Sequence, residues 1–220
     1  MKTELNLNKE KLIFELGYEF VAGVDEAGRG PLAGPVVAAC VVIDKNFKAN
    51  ADELKLINDS KKLSAKMREK LFPLIKKYAT SVSIGICDHK TIDKINILQA
   101  SFLAMTKAIE KSDIKPDFIL TDGKFKIPKI AQNQEAIIGG DASVFCIAAA
   151  SIIAKVSRDY LMEKMHEKYP EYEFAQHKGY GTKLHLEKLE EYGPSPIHRR
   201  SFAPVKKLIK AVKYPHDYRQ

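Results

Sequence analysis

The sequence predicts an α/β fold in which a mixed sheet is covered by helices. Two apolar, β-branched runs near the beginning of the chain flank a glycine-rich turn, which is the pattern of two paired strands. After them, short apolar runs alternate with segments that have the periodicity of helices. Such an alternation is typical of a sheet packed between helices. The 220 residues, 45% of them hydrophobic, suffice for one globular domain with a substantial core.

Strands and helices are expected in the following order. The strands are expected at residues 20–24, 35–43, 80–87 and 117–122. The helices are expected at residues 65–78, 96–111, 142–169, 183–192 and after residue 204. Ser64 is suited to cap the first of these helices, and Pro73 is expected to bend or split it. We expect three parts in the chain: a lead-in at 1–18, a main domain at 19–170 and a helical extension at 171–220.

The cysteines and the hydrophobic runs indicate the compartment. Cys40, Cys87 and Cys146 each lie inside an apolar run, as buried thiols in a reducing compartment do. No apolar run reaches membrane-spanning length without a charge, and residues 1–10 lack the apolar core of a secretion signal. We therefore expect a cytoplasmic protein that does not bind membranes.

The charge favours a polyanionic partner. The formal net charge is +8, and the lysines and arginines occur in clusters rather than evenly along the chain. Solvated helix faces account for some of these clusters. Acidic residues at the ends of core elements need a different explanation, because a nucleic-acid binder without chemistry has no use for carboxylates that face phosphates. A metal-dependent nuclease does need them.

The most informative stretch is 21–34, in which Asp25 and Glu26 run directly into a glycine-rich basic turn. Two unpaired carboxylates beside a core repel each other and lose hydration, at a cost of several kcal/mol, unless a cation holds them. Either Arg29 or a metal ion could be that cation. Successive strand residues point to opposite faces, so either the strand bends at Glu26 or Glu26 contributes differently from Asp25. We expect Asp25 to be the more central ligand.

Two further acids follow short apolar runs beside glycines. Asp122 ends the run at 117–122, and Asp141 follows two glycines at or just before a helix start. If the strand at 117–122 lies parallel beside the first strand, Asp25, Glu26 and Asp122 share one edge of the sheet, and Asp141 reaches it from the neighbouring element. The sequence has no histidine pair at zinc spacing and no recognisable nucleophile elbow. Four acids therefore favour an all-oxygen site for Mg²⁺ or Mn²⁺.

Two alternative functions are considered. Residues 28–33 fit the G-x-G-x-x-A pattern of dinucleotide-binding oxidoreductases. That fingerprint must open a helix, whereas residues 35–43 have a strand pattern, and two acids before the loop would repel a pyrophosphate. A nucleic-acid-binding module without catalysis is the second alternative.

Eight motifs between about residues 19 and 205 resemble, in order, those of the bacterial ribonuclease HII family. They are DEAGRGPLAGPV (25–36), DSKKL (59–63), INILQA (95–100), DG (122–123), GD (140–141), AASIIAKVSRD (149–159), KGYGT (178–182) and PIHRRSFAPV (196–205). The resemblance implies a ribonuclease H-like fold, with a five-stranded mixed sheet flanked by helices and a small C-terminal helical part. It also implies cleavage on the 5′ side of ribonucleotides, in RNA/DNA hybrids or embedded singly in duplex DNA, which leaves 3′-hydroxyl and 5′-phosphate ends.

The resemblance also implies the site residues. Asp25, Glu26, Asp122 and Asp141 match the acidic residues of the family, and we hypothesise that they hold two divalent ions roughly 4 Å apart.

Substrate contacts are expected outside the acids. In the family, the turn of Gly28, Arg29 and Gly30 reads the ribose 2′-hydroxyl, and Tyr180 matches a tyrosine that stacks on the following deoxyribose. Ser60, Lys61 and Lys62 are expected to contact phosphates. Arg199 and His198 could do likewise or could hold the C-terminal part in place. We expect a monomer.

Overall fold

The computed structural model describes residues 5–47, 56–57, 60 and 62–213, and within them a single five-stranded sheet carries helices on both faces. The strands are β1 (Phe20–Ala27), β2 (Val36–Asp44), β3 (Ser81–Cys87), β4 (Phe118–Asp122) and β5 (Asn133–Ile137). The helices are α1 (Asn8–Glu15), α2 (Ala65–Tyr78), α3 (His89–Glu110), α4 (Phe145–Lys168), α5 (Phe174–His177), α6 (Lys183–Tyr192) and α7 (Ala203–Lys213). The expected mixed α/β fold is thus confirmed.

The strand order β3-β2-β1-β4-β5 places the acidic strand ends side by side. β1 pairs antiparallel with β2, and β2 pairs antiparallel with β3. β1 pairs parallel with β4, with Val24 opposite Thr121, and β4 pairs parallel with β5. The carboxyl ends of β1, β4 and β5 therefore meet at one edge of the sheet, as expected for Asp25 and Asp122.

Small residues allow two helices to pack closely on the central strands. Alanines of α3 pack on one face, which includes Ala22 and Ala38, and alanines of α4 pack on the other face, which includes Ala39. A Cβ on Gly23 would collide with the backbone of α4 at Cys146. The absence of a side chain at Gly23 thus sets how close α4, which carries several cleft residues, lies to β1.

Three helix predictions differ from the structure. α3 begins at His89 rather than at 96, and Asp88 caps it by accepting from the Thr91 N–H at 2.8 Å. The helix is interrupted at Asn96, which has φ 66° and whose side chain accepts from the Leu98 N–H at 3.0 Å. This internal cap explains why the sequence pattern indicated a start there. α4 begins three residues later than predicted, and α2 continues through Pro73 without a split.

The two ends of the described chain are tied to the main body. In α1, the buried Glu10 accepts from the Cys146 N–H at 2.9 Å, at the first turn of α4. On the C-terminal side, Gly34 donates its N–H to the Ile197 carbonyl at 3.0 Å. The three cysteines are buried free thiols, as predicted. None of the helices seen in the described ranges has the length and apolar character needed to cross a membrane.

Candidate active site

Three carboxylates meet at the edge of the sheet where β1 and β4 end. One oxygen from each of Asp25, Asp122 and Asp141 lies within 4.8 Å of the others. Asp25 and Asp141 are each only 5% exposed. Asp141 lies in a short 3₁₀ turn, Gly140–Ala142, between β5 and α4, and the Gly140 N–H donates to Asp122 Oδ1 at 2.8 Å. This hydrogen bond joins the turn that carries Asp141 to the end of β4.

Asp25 is one of the three close carboxylates, and its role as the more central ligand stays a prediction. Its Oδ1 accepts from the Glu26 N–H at 2.7 Å. The Ser151 hydroxyl of α4 lies close enough to this carboxyl to lower its pKa slightly. Burial raises the pKa of Asp25 well above its usual value, and the negative charges of Glu26 and Asp122 raise it further. A bound cation would act in the opposite direction, because it favours the ionised carboxylate.

Glu26 is placed differently from Asp25. β1 keeps its register with β2 as far as Ala27, and Glu26 does not belong to the group of three close oxygens. Its side chain is 9% exposed and lines the same cleft, where Oε1 accepts from Arg29 Nη1 at 3.1 Å. Burial raises the pKa of Glu26, and the positive charge of Arg29 partly opposes this shift.

A cleft of about 320 Å³ lies in front of the carboxylates. Of the predicted substrate contacts, it is lined by Gly28, Arg29, Gly30, Ser60 and Tyr180. Lys62 is exposed and is not among the lining residues. Lys61 lies outside the described residues. The predicted glycine-rich turn thus shares one cleft with Asp25, Glu26 and Asp122, whereas Asp141 is not among the lining residues.

The turn at Gly28–Gly30 is held from beneath by Arg199. This fully buried side chain donates to the carbonyls of Gly28 at 2.6 Å, Arg29 at 2.9 Å and Gly34 at 3.0 Å. His198 is also buried, at 1% exposure. The expected phosphate contact is therefore wrong for both residues, and the alternative structural role is correct.

A second fully buried arginine, Arg158 of α4, supports the same region. It donates to the carbonyls of Ala33, Pro35 and Lys178 at 3.0–3.2 Å. Within the described part of the chain, neither Arg158 nor Arg199 forms an ion pair with a carboxylate. Gly28 has φ +99°, and a Cβ there would collide with the Arg158 side chain, so this position requires glycine.

Tyr180 stands at the rim of the cleft and is 39% exposed. Its ring lies 5.5 Å from Lys155 Nζ and 5.6 Å from Arg158 Cζ. A Cβ built on Gly30 would lie 3.9 Å from the ring edge, and no other described residue apart from its chain neighbours would come within 4 Å. The exposed ring and the open space above Gly30 therefore adjoin each other.

Three polar residues that line the cleft were not predicted from the sequence: Ser151, Lys155 and Arg68. Ser151 and Lys155 are four residues apart on α4, so helical periodicity places them on one face together with Arg158. That spacing was the available signal. The Ser151 hydroxyl also contacts the Ser60 hydroxyl at 2.7 Å. Arg68 of α2 donates to the Ser60 carbonyl at 2.8 Å and so holds the loop before its own helix.

Comparisons with known proteins agree with this geometry. A family model described as Ribonuclease HII matches residues 22–205. Ribonuclease HII from Acholeplasma laidlawii is 54% identical over 205 residues, which are 93% of this chain and 98% of that protein. Ribonuclease HII from Endomicrobium trichonymphae is 50% identical over 204 residues, 93% and 95% of the two chains. The crystal structure of ribonuclease H2 from Pyrococcus horikoshii OT3 superposes with a TM-score of 0.72 at 32% identity, and covers 88% of this chain and 99% of that one.

Proposed function

The chain belongs to the ribonuclease HII family, and from this premise we propose how its acidic cleft acts as a metal-dependent endoribonuclease. The substrates are RNA/DNA hybrids and duplex DNA with single embedded ribonucleotides. Water attacks the phosphorus on the 5′ side of a ribonucleotide and the bond from phosphorus to the 3′ oxygen breaks, which leaves 3′-hydroxyl and 5′-phosphate ends. The observation that carries the proposal is the meeting of Asp25, Asp122 and Asp141 within 4.8 Å beside a glycine-rich turn.

The donor set fits divalent ions. Carboxylate oxygens are the ligands that Mg²⁺ and Mn²⁺ prefer. Positive charge stabilises the three close acids, of which Asp25 and Asp141 are buried and Asp122 is half-buried. We propose that Asp25, Glu26, Asp122 and Asp141 together hold two such ions. When bound, the ions supply positive charge to the scissile phosphate and lower the pKa of the attacking water.

The chain itself orients the carboxylates. The Glu26 N–H donates to one oxygen of Asp25, and the Gly140 N–H donates to one oxygen of Asp122. These bonds fix the acids on a rigid sheet edge before substrate arrives, which is the preorganisation that catalysis requires. Arg29 offsets part of the negative charge at Glu26.

Ribose recognition falls to the turn at Gly28–Gly30. Arg199 already donates to the carbonyls of Gly28 and Arg29. The backbone N–H groups of Arg29 and Gly30 make no hydrogen bond to another described residue. They are therefore suited to donate to a ribose 2′-hydroxyl, which DNA lacks.

Tyr180 is placed to read the next nucleotide. The exposed ring beside Gly30 is suited to stack on the sugar that follows the ribonucleotide. We expect a Tyr180→Ala variant to lose more activity on a duplex with one ribonucleotide than on a continuous hybrid, because only the former has a deoxyribose next to the ribose. Steady-state cleavage of both substrates checks this. Equal losses would contradict the assignment.

One assay distinguishes the proposed function from its alternatives. The protein is incubated with a DNA duplex that carries a single ribonucleotide, with Mg²⁺ or with a chelator, beside an all-DNA duplex of the same sequence. The proposal predicts one cut, on the 5′ side of the ribonucleotide, only with metal. Binding of the duplex without cutting would favour a nucleic-acid-binding module without catalysis. If the protein neither binds nor cuts the duplex, the dinucleotide-dependent oxidoreductase is the remaining alternative.

We propose a monomer as the active unit. All the groups assigned here to catalysis and recognition come from one chain. Light scattering during size-exclusion chromatography, with activity measured across the peak, tests this, and activity confined to a larger species would contradict it.

A further inference from the structure

Three buried histidines form a cluster in the C-terminal part of the chain that the proposed chemistry does not use. His177, His185 and His198 are 7%, 0% and 1% exposed. The rings of His177 and His185 stack at 4.3 Å with an interplanar angle of 16°. All ring nitrogens of the cluster have hydrogen-bond partners, so none is available to ligate a metal.

The partners assign the tautomers of His185 and His198. The Ser195 N–H points at His198 Nδ1 at 2.9 Å, so this nitrogen accepts and the proton of neutral His198 is on Nε2. The Tyr180 carbonyl lies 2.9 Å from His185 Nδ1, so this nitrogen carries the proton and Nε2 of neutral His185 accepts. The two assignments are independent.

These assignments agree where the two rings meet. His198 Nε2 and His185 Nε2 are 3.0 Å apart, and one is a donor while the other is an acceptor. The result is a chain of hydrogen bonds in one direction, from the Ser195 N–H through His198 and His185 to the Tyr180 carbonyl. We call it the histidine relay. Protonation of either ring would place two N–H groups face to face.

The electrostatic environment keeps the relay neutral. Burial lowers the pKa of His185 to about 4. Burial also lowers the pKa of His198 to about 3, and the nearby His185 adds to this shift. Both rings therefore hold the protonation state that the relay needs at neutral pH.

The relay ends in the loop that carries Tyr180, and this loop is held at successive residues. Arg158 holds the Lys178 carbonyl at 3.0 Å, His177 Nδ1 accepts from the Gly179 N–H at 3.2 Å, and His185 holds the Tyr180 carbonyl. The Gly179 carbonyl in turn accepts from the Leu32 N–H at 2.8 Å, just after the glycine-rich turn. The backbone of Tyr180 is thus fixed relative to the turn that it faces.

We propose that the histidine relay positions Tyr180 at the cleft, and that His185 and His198 are positioning residues for recognition of the ribonucleotide-to-deoxyribonucleotide junction. This inference rests on the proposed role of Tyr180. His185 contacts no substrate atom and acts through the Tyr180 carbonyl.

Two substitutions at one position test the relay. His185→Asn keeps an N–H donor near the place of Nδ1, whereas His185→Leu removes both the donor and the acceptor. Loss of one hydrogen bond predicts a fall of about twofold to tenfold in kcat/KM for His185→Leu on a duplex with one ribonucleotide. We expect His185→Asn to retain most of the kcat/KM of the original protein. Equal losses in the two variants would overturn the proposal, because a purely packing role would not distinguish them.

A double-mutant cycle with Tyr180→Ala tests whether the effect passes through Tyr180. We expect His185→Leu to reduce kcat/KM by less than about twofold when Tyr180 is already alanine. If His185→Leu causes the same loss with Tyr180 and with alanine at position 180, the proposed relay is wrong, whereas the proposed role of Tyr180 is unaffected. If Tyr180→Ala leaves single-ribonucleotide cleavage unchanged, the proposed role of Tyr180 fails and this inference fails with it.

A second variant covers the case in which His185→Leu does not fold. His198→Asn keeps an acceptor for the Ser195 N–H but removes the donor that holds His185 in its Nδ1–H tautomer, whereas an asparagine at position 185 has no tautomer to hold. Circular dichroism establishes the fold of each variant. In a double-mutant cycle with Tyr180→Ala, we expect His198→Asn to reduce kcat/KM when Tyr180 is present and to have little effect when it is alanine. Additive losses in kcat/KM would overturn the proposal.

Discussion

Asp25 is buried against two other acids, an arrangement that is unfavourable for folding until a cation is bound. Burial and the charges of Glu26 and Asp122 raise its pKa, and the nearest positive side chain of the turn, Arg29, is paired with Glu26. A residue of this kind is stabilising only in the loaded enzyme. Function, rather than stability, accounts for its position.

The buried charge of Asp25 leads us to expect two effects of Asp25→Asn. Without metal, the variant should be more stable than the original protein by about 1–2 kcal/mol, because it removes a buried repulsive charge. Mg²⁺ should raise the melting temperature of the original protein and have a much smaller effect on the variant. Thermal unfolding with chelator and with Mg²⁺ measures both effects. The exposed Asp113→Asn is the matched control, and an equal Mg²⁺ shift in Asp25→Asn and the control would contradict the assigned site.

Arg199 illustrates a buried charge that is satisfied by carbonyls. Its substitution by lysine keeps the charge but loses the planar fork that reaches Gly28, Arg29 and Gly34 together. We expect Arg199→Lys to lower the free energy of unfolding by about 2–4 kcal/mol, since carbonyls under the turn lose their donors. Urea denaturation measures this. Arg200→Lys, at the exposed neighbouring position, is the control, and equal stability of the two variants would contradict the account.

At the scale of elements, the C-terminal helices act as a brace for the two loops of the cleft. The segment at 195–199 contacts the glycine-rich turn through Arg199 and the Tyr180 loop through His198 and His185. α4 reaches the same loops from the other side through Arg158. The loops that read the sugar are therefore held between α4 and the C-terminal part.

The brace predicts a pH dependence of stability. The folded-state pKa values of His185 and His198 lie near 4 and 3, below the usual 6.5, so the unfolded chain binds more protons in this range. Their contribution to stability is present above about pH 6.5 and is lost as pH falls toward 4, by up to about 1.4 kcal/mol per pH unit for each histidine. Asp25 and Glu26, whose pKa values are raised, have the opposite slope.

The variant His185→Asn separates the contribution of His185 to the pH dependence of stability from that of Asp25 and Glu26. Denaturant unfolding of the original protein and of His185→Asn is compared between pH 7.5 and 4.5. We expect the stability difference between them to shrink as the pH falls. A difference that is constant with pH would show that His185 is not held neutral in the fold.

At the scale of the whole molecule, the sequence predicted the carboxylates at the sheet edge better than the buried residues that hold the loops of the cleft. Alternating apolar runs and acids at strand ends were enough to place Asp25 and Asp122 together, because parallel strands bring their carboxyl ends to one edge. The start of α3 was missed, since Asn96 imitates a helix cap within a longer helix. Arg158 and His185 could not be predicted, and for His198 the sequence left a phosphate contact and a structural role open, because composition and spacing show charge and not burial.

The same limit applies to Glu26. Strand periodicity left open whether β1 bends at Glu26 or Glu26 contributes differently from Asp25. Only the structure shows that β1 stays paired with β2 through Ala27 and that Glu26 lies outside the group of three close oxygens. Ser151 and Lys155 of α4 join the cleft only because Gly23 lets that helix approach β1. Such residues depend on packing distances that one sequence does not specify.

The central claim is that the carboxylates at the sheet edge perform the cleavage, and Asp122→Asn tests it most directly. Cleavage and binding of one duplex with a single ribonucleotide are measured side by side for the original protein and the variant, with Mg²⁺. We predict that cleavage falls by at least about a thousandfold while the Kd for the duplex changes by less than about threefold, since the lost group acts on the transition state. Cleavage by Asp122→Asn at a rate near that of the original protein would contradict the account.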